Sequence, residues 1–264
     1  MPILVKRTSG IIEPVPYFKF PSGEVHIRDF DVSNITQVIF NWRGDHTDLA
    51  VLSSLITLPS CMSNLTSDLL VPYLPASRAD RIVGNESLGK AAYVDLISAA
   101  WDGISGNYYS SIDTWDIHST RGTDADITNI PRMQQYLSTY KFPDNSVLLA
   151  PDEGALSRVA AISAATGLPY LGATKNRDYA TGRLLSNSVP LVLGEFDNIF
   201  VIDDICDGGG TFLLLAESIR KQNISSNLHL FVTHGIFSKG KSDLESRYST
   251  VFALNDWITD TVHY

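Results

Sequence analysis

Phe200-Val201-Ile202-Asp203-Asp204-Ile205-Cys206-Asp207-Gly208-Gly209-Gly210-Thr211-Phe212 runs from an apolar strand through paired carboxylates and three glycines into a helical segment. At the carboxyl edge of a parallel sheet such a turn faces the ligand crevice. Glycines let backbone N–H groups approach a phosphate closely, and the amino end of a helix adds partial positive charge. Asp203 and Asp204 would repel a phosphate, so their partners are hydroxyls or a metal. Carboxylates for sugar hydroxyls beside an amide nest for a phosphate describe a ribose-phosphate site. The alternative for the loop alone is a glycine-rich turn with a solvated acidic cap.

Outward from this loop, short apolar runs alternate with segments of helical period. Residues 38–40, 69–71, 147–150, 199–202 and 228–232 read as buried strands, and 48–58, 90–101, 156–166 and 212–222 as helices. In the last helix Leu213, Ala216, Glu217 and Arg220 share one stripe while Leu214, Leu215 and Ile219 can bury elsewhere, a pattern suited to packing on a sheet. The alternation predicts an α/β fold with parallel sheets covered on both faces. The polar, Pro-containing stretch Tyr140–Ser146 marks a boundary between two αβ domains, 1–140 and 141–264.

The 264 residues include 20 Lys+Arg and 29 Asp+Glu, a net charge of −9. With 44% hydrophobic and 19% charged residues the composition is globular and excludes wholesale disorder. The acidic balance argues against nonspecific nucleic-acid or anionic-membrane binding. Cys61 and Cys206 lack metal-ligand spacing, which argues against a disulfide framework or structural zinc. Met1–Arg7 lacks a signal-peptide layout and no apolar run is long enough to span a bilayer, so the expectation is a cytoplasmic protein.

The loop resembles the phosphoribosyl-diphosphate motif of type I phosphoribosyltransferases and ribose-phosphate pyrophosphokinases. Phe20–Val25, Val71–Arg81, Asp116-Ile117-His118, Pro151-Asp152-Glu153-Gly154 and Thr233–Ser238 follow in the order found in the pyrophosphokinases. Simple transferases lack the amino-terminal set. The resemblance implies two type I phosphoribosyltransferase-like domains and transfer of the β,γ-diphosphoryl group of ATP to the anomeric hydroxyl of a ribose phosphate, releasing AMP. It implies that Asp203, Asp204, Asp207, Gly208, Gly209, Gly210 and Thr211 bind ribose phosphate, with Asp207 a candidate base. His118 and Asp152 match the Mg2+ positions, and Lys175 and Arg177 the catalytic Lys-x-Arg of a mobile loop. Arg78, Asp80, Arg81 and His118 match positions that contact ATP, and Phe20 and Glu24 those that hold adenine from a neighbouring subunit. A dimer-based homo-oligomer follows.

Three departures stand out. Ser22 and Ala79 replace the usual Asp and Gln of the ATP segments. Gly208 stands where the family commonly has a Thr that donates to the 5-phosphate, which leaves two acceptors open: ribose 5-phosphate, or a 5′-extended ribose such as ADP-ribose. The short amino terminus leaves little room for an opening strand and helix before Phe20. Two other readings remain, a type I phosphoribosyltransferase and a silent regulatory homologue. The second would lack metal or loop residues, whereas His118, Asp152, Lys175 and Arg177 are all present.

Overall fold

In a computed structural model, residues 3–58, 68–82, 85–102, 112–121, 127–177 and 184–264 are described. The chain divides into two units, Met1–Ile130 and Pro131–Tyr264. The first comprises β1 (Ile3–Arg7), β2 (Ile12–Pro14), β3 (Phe18–Lys19), β4 (Val25–His26), β5 (Ile35–Phe40), α1 (Thr47–Ile56), β6 (Asp68–Val71), α2 (Gly89–Asp102), β7 (Ile112–Trp115) and β8 (Ile127–Ile130). Its main sheet has the order β2-β1-β5-β6-β7-β8, with β5 to β8 parallel and β1 antiparallel to both neighbours. An opening strand is therefore present before Phe20. Ile3 and Val5 alternate into the core, which makes so brief a segment a strand. β3 and β4 form a separate hairpin.

The second unit comprises α3 (Arg132–Leu137), β9 (Ser146–Ala150), α4 (Leu156–Thr166), β10 (Tyr170–Gly172), β11 (Thr174–Arg177), β12 (Leu184–Ser188), β13 (Asn198–Cys206), α5 (Gly210–Lys221), β14 (Asn227–Gly235), α6 (Ser242–Glu245), β15 (Thr250–Asp256) and β16 (Thr261–Val262). The sheet order is β10-β9-β13-β14-β15-β16, parallel except for β16. Both faces are covered, so β9 is buried throughout. Val147 and Leu149 join Phe212, Leu215 and Ile219 on one side, while Leu148 and Ala150 join Met133, Leu137, Val159 and Ile162 on the other. Gly167, in the left-handed region at φ 76°, ends α4.

The five apolar runs lie in β5, β6, β9, β13 and β14, and the four helical segments in α1, α2, α4 and α5. Three particulars differ. The division falls after Ile130, because Met133 and Leu137 pack with Leu148 and Phe200, so residues 131–140 belong to the second unit. The buried stripe of α5 is Phe212, Leu215, Ala216 and Ile219, an i, i+3, i+4, i+7 face: Leu215 and Ile219 are buried as expected, Leu214 is only half-buried, Ala216 joins the buried face, and Glu217 is exposed. Finally, β13 does not end before the carboxylates but carries them to Cys206. Among the described residues, no helix is long and apolar enough to cross a membrane.

The first unit carries a pH-dependent weakness. Asp48, 4% exposed on α1, has its pKa pushed up to about 6 by burial and by Asp45. The unfolded chain ionises this group near the ordinary carboxylate value, so folding loses stability as pH rises from about 4 to 6. Asp48→Asn should therefore add about 1–3 kcal/mol in urea denaturation at pH 8 and almost nothing below pH 4.

Candidate active site

The chain leaves β9 toward β10 on one side and continues from β13 toward β14 on the other, so the sheet has its switch point between β9 and β13. In open α/β sheets the crevice outside the strand ends at that point receives the ligand. The β9–β13 ladder ends at Leu149–Val201, whereas the β13–β14 ladder continues to Cys206–Gly235. The last residues of β13, Asp203 among them, thus pair on one side only. Asp152 follows β9 and accepts from the Ala155 N–H at 3.1 Å.

Asp203 and Asp204 persist within a buried strand because one cation serves both. Arg158, two residues into α4, places Nη1 3.2 Å from Asp203 Oδ1 and Nη2 3.5 Å from Asp204 Oδ2. The Asp204 N–H also donates to Asp203 Oδ1 at 2.9 Å. Burial pushes the Asp203 pKa well up; the Asp204 carboxylate adds to this, Arg158 opposes it, and Asp152 raises it further. Three carboxylates that act on one another are thus offset by one guanidinium. The sequence reading missed Arg158: an arginine on a helix ordinarily reads as solvated, and only the 45-residue return of the chain brings β13 to it.

Past Cys206 the chain turns through Asp207 and Gly208 to Gly209, in the left-handed region at φ 75°, and α5 begins at Gly210. The first amides of a helix have no intrahelical partner, and glycines keep them open to an anion. Leu244 packs on Gly209, where a Cβ would stand 3.3 Å from both its methyl carbons. Asp207, Gly208 and Thr211 are half-buried and Gly210 is exposed. The loop after β14 is tied alongside, since the Ile236 and Phe237 N–H groups both donate to the Cys206 carbonyl, at 2.9 and 3.1 Å.

In the first unit, the structure gathers Asp80, Arg81 and His118 with Lys90 and Ser119. Asp80 is turned inward and accepts from Ser119 Oγ at 2.5 Å, and that bond holds its carboxyl below the usual range. Its other oxygen is buried, accepts no hydrogen bond among the described residues, and lies 3.5 Å from Arg81 Nε. Lys90 is fully buried and donates to the Ser119 carbonyl at 2.8 Å. Burial pulls the Lys90 pKa down while Asp80 supports its charge. Asp80 is thus a strut for the turn after His118. Arg78, Arg81 and His118 are exposed. Phe20 is an exposed aromatic rather than a core residue, set edge-on to Phe18 at 5.0 Å in the β3–β4 hairpin. Glu24, also exposed, accepts from Ser22, which lowers its pKa.

Lys175 and Arg177 lie on β11, antiparallel to β12, and their side chains are outside the described residues. For Mg2+, the donor chemistry of the crevice fits: Asp152, Asp203 and Asp204 offer hard oxygen. Among the described residues no three His, Cys, Asp or Glu side chains form a metal cage. Mg2+ held by one carboxylate, waters and substrate phosphates needs none.

No protein-family model matches the sequence. The chain is 30% identical to a ribose-phosphate pyrophosphokinase of Thermococcus kodakarensis over 267 residues, which span 98% of this chain and 90% of that one. A ribose-phosphate pyrophosphokinase of Thermoplasma volcanium is 26% identical over 85% of this chain and 77% of its own. In structure, phosphoribosylpyrophosphate synthetase from Mycobacterium smegmatis aligns with 90% of this chain and 78% of its own, at a TM-score of 0.66 and 19% identity. That likeness shows a shared two-domain α/β fold. The full-length identity, with the switch-point carboxylates and glycine loop, shows that this chain belongs to the ribose-phosphate pyrophosphokinase family.

Proposed function

We propose that this protein transfers the β,γ-diphosphoryl group of ATP to the anomeric hydroxyl of ribose 5-phosphate, releasing AMP. The observation that carries this reading is the Asp203–Asp204 pair, bridged by Arg158 and leading through Gly208–Gly210 into α5. The carboxylates accept from ribose hydroxyls, and Arg158 keeps two adjacent acceptors in place where they would otherwise repel each other. The loop amides take the 5-phosphate. In the reaction the anomeric oxygen bonds to Pβ as the bond from Pβ to the bridging oxygen breaks. AMP departs with that oxygen, and the hydroxyl proton passes to Asp207. Such transfer is governed by positioning and charge neutralisation. We assign Lys175 and Arg177 to the charge on the transferring group, and Arg78, Arg81 and His118 to the ATP phosphates. Asp152 in the second unit and His118 in the first are each candidate Mg2+ ligands, and the metal would supply charge neutralisation on the polyphosphate.

Between the two acceptors, the contact at Gly208 favours ribose 5-phosphate. The space beside a missing threonine side chain is bordered by the methylene stem of Lys239, 3.5 Å from where a Cβ would stand. Phe20 and Glu24, exposed on their hairpin, suit an adenine held against a neighbouring copy, so a dimer-based assembly belongs to the same proposal. The test is product analysis with ATP, Mg2+ and each acceptor, without nucleobase. AMP should appear in proportion to ribose 5-phosphate consumed, at least tenfold faster than with ADP-ribose. AMP formation only with ADP-ribose would reassign the acceptor, and its absence with both would overturn the reaction.

A further inference from the structure

Lys239 follows β14 on a loop tied beside the glycine turn. Its neighbour Phe237 is buried at φ 49° with its N–H on the Cys206 carbonyl, and Lys241 is anchored by an ion pair to Asp256. Between these anchors Lys239 is exposed, and its stem runs along Gly208: a Cβ there would meet Cδ and Cε at 3.5 Å and Cγ at 3.8 Å. Its ammonium nitrogen is one bond beyond Cε and so lies within about 5 Å of that same point. Among the described residues Lys241 has a carboxylate partner and Lys239 has none. A charge held beside the first amides of α5, without a counter-ion, is placed for an anion.

We propose that Lys239 sets the affinity for the phosphate ester of the acceptor: its ammonium donates to the group seated on the amides of residues 208–211. The inference rests on the reading of that turn as the ribose-phosphate site. It accounts for glycine at position 208. No positive φ requires it there, and a bare Cβ would make only ordinary contact. The γ atoms of a threonine, about 1.5 Å further out, would meet the lysine stem. Threonine at 208 and Lys239 are therefore alternative occupants of one space, the first offering a hydroxyl and the second a charge-assisted bond.

Calorimetric titration of ribose 5-phosphate into the full chain, with ribose and ATP as separate titrants, tests this without requiring turnover. Lys239→Met keeps most of the stem and should weaken ribose 5-phosphate about tenfold, with ATP unchanged. In the Lys239→Ala background, Gly208→Thr should recover much of the loss. In the wild-type background it should not improve binding. Equal ribose 5-phosphate affinity in wild type and Lys239→Met would overturn the inference and leave the site reading standing. Tenfold weaker binding by Lys239→Met in a protein that forms no AMP would uphold the lysine and sink the proposed reaction. No ribose 5-phosphate binding by wild type would sink both.

Discussion

Arg158→Ala should destabilise the protein by about 3–5 kcal/mol at neutral pH and sharply weaken the acceptor. The guanidinium is only 16% exposed and contacts two carboxylates, of which Asp204 is 4% exposed. Removing it leaves adjacent negative charges on a buried strand, with Asp152 adding to the repulsion. The variant carboxylates then bind protons more readily than in the unfolded chain. Their penalty is absent below the ordinary carboxylate range, near pH 4, and grows as pH rises through the folded-state values. The stability gap between Arg158→Ala and wild type should accordingly narrow on acidification in denaturant titrations. Arg158→Met, which restores bulk without charge, should recover little. Arg158→Lys should recover part, because one ammonium cannot span both carboxylates as a planar fork does. A gap that is independent of pH would assign Arg158 a packing role only.

Gly235→Ala is expected to be nearly as damaging, for a steric reason. A Cβ at this position would stand 2.0 Å from Cε2 and 2.6 Å from Cζ of Phe237, and 2.8 Å from Cβ of Ala253 on the adjoining strand. The ring cannot swing away freely. It is buried, its own N–H is bonded to the Cys206 carbonyl, and the Lys241 ammonium lies 4.8 Å from its centroid. Overpacking of this kind costs about 1–3 kcal/mol, and two close obstructions put Gly235→Ala at the upper end. Moving Phe237 also moves the loop that carries Lys239, so acceptor affinity should fall with stability. Gly210→Ala is the control: a Cβ there meets nothing within 4 Å, and thermal unfolding should shift little. Equal melting temperatures for Gly235→Ala and wild type would contradict the packing described here.

How much of this was legible in the sequence follows from what each element depends on. Val147–Ala150 and Ile199–Ile202 are apolar on both faces because helices cover both sides of the sheet, and such runs declare themselves. Ile3–Arg7 did not, since its two core residues gain meaning only against β5. The extension of β13 through Asp203-Asp204 was hidden for the same reason. Acidic residues read as the end of a strand unless a distant cation neutralises them, and Arg158 lies 45 residues earlier. The glycine loop was readable because its chemistry is local: the turn, the left-handed Gly209 and the helix start are contiguous. The inward turn of Asp80 toward Ser119, and the lysine over Gly208, depend on loops 39 and 31 residues away, and no local pattern records them.

The central claim is that one crevice, at the switch point of the second sheet, holds a phosphorylated pentose. A structure determined with ribose 5-phosphate and a non-hydrolysable ATP analogue tests it most directly. The account predicts sugar hydroxyls within hydrogen-bonding distance of Asp203 and Asp204, with the 5-phosphate on the amides of residues 208–211. A pentose bound elsewhere, with those carboxylates still bridged by Arg158, would contradict it.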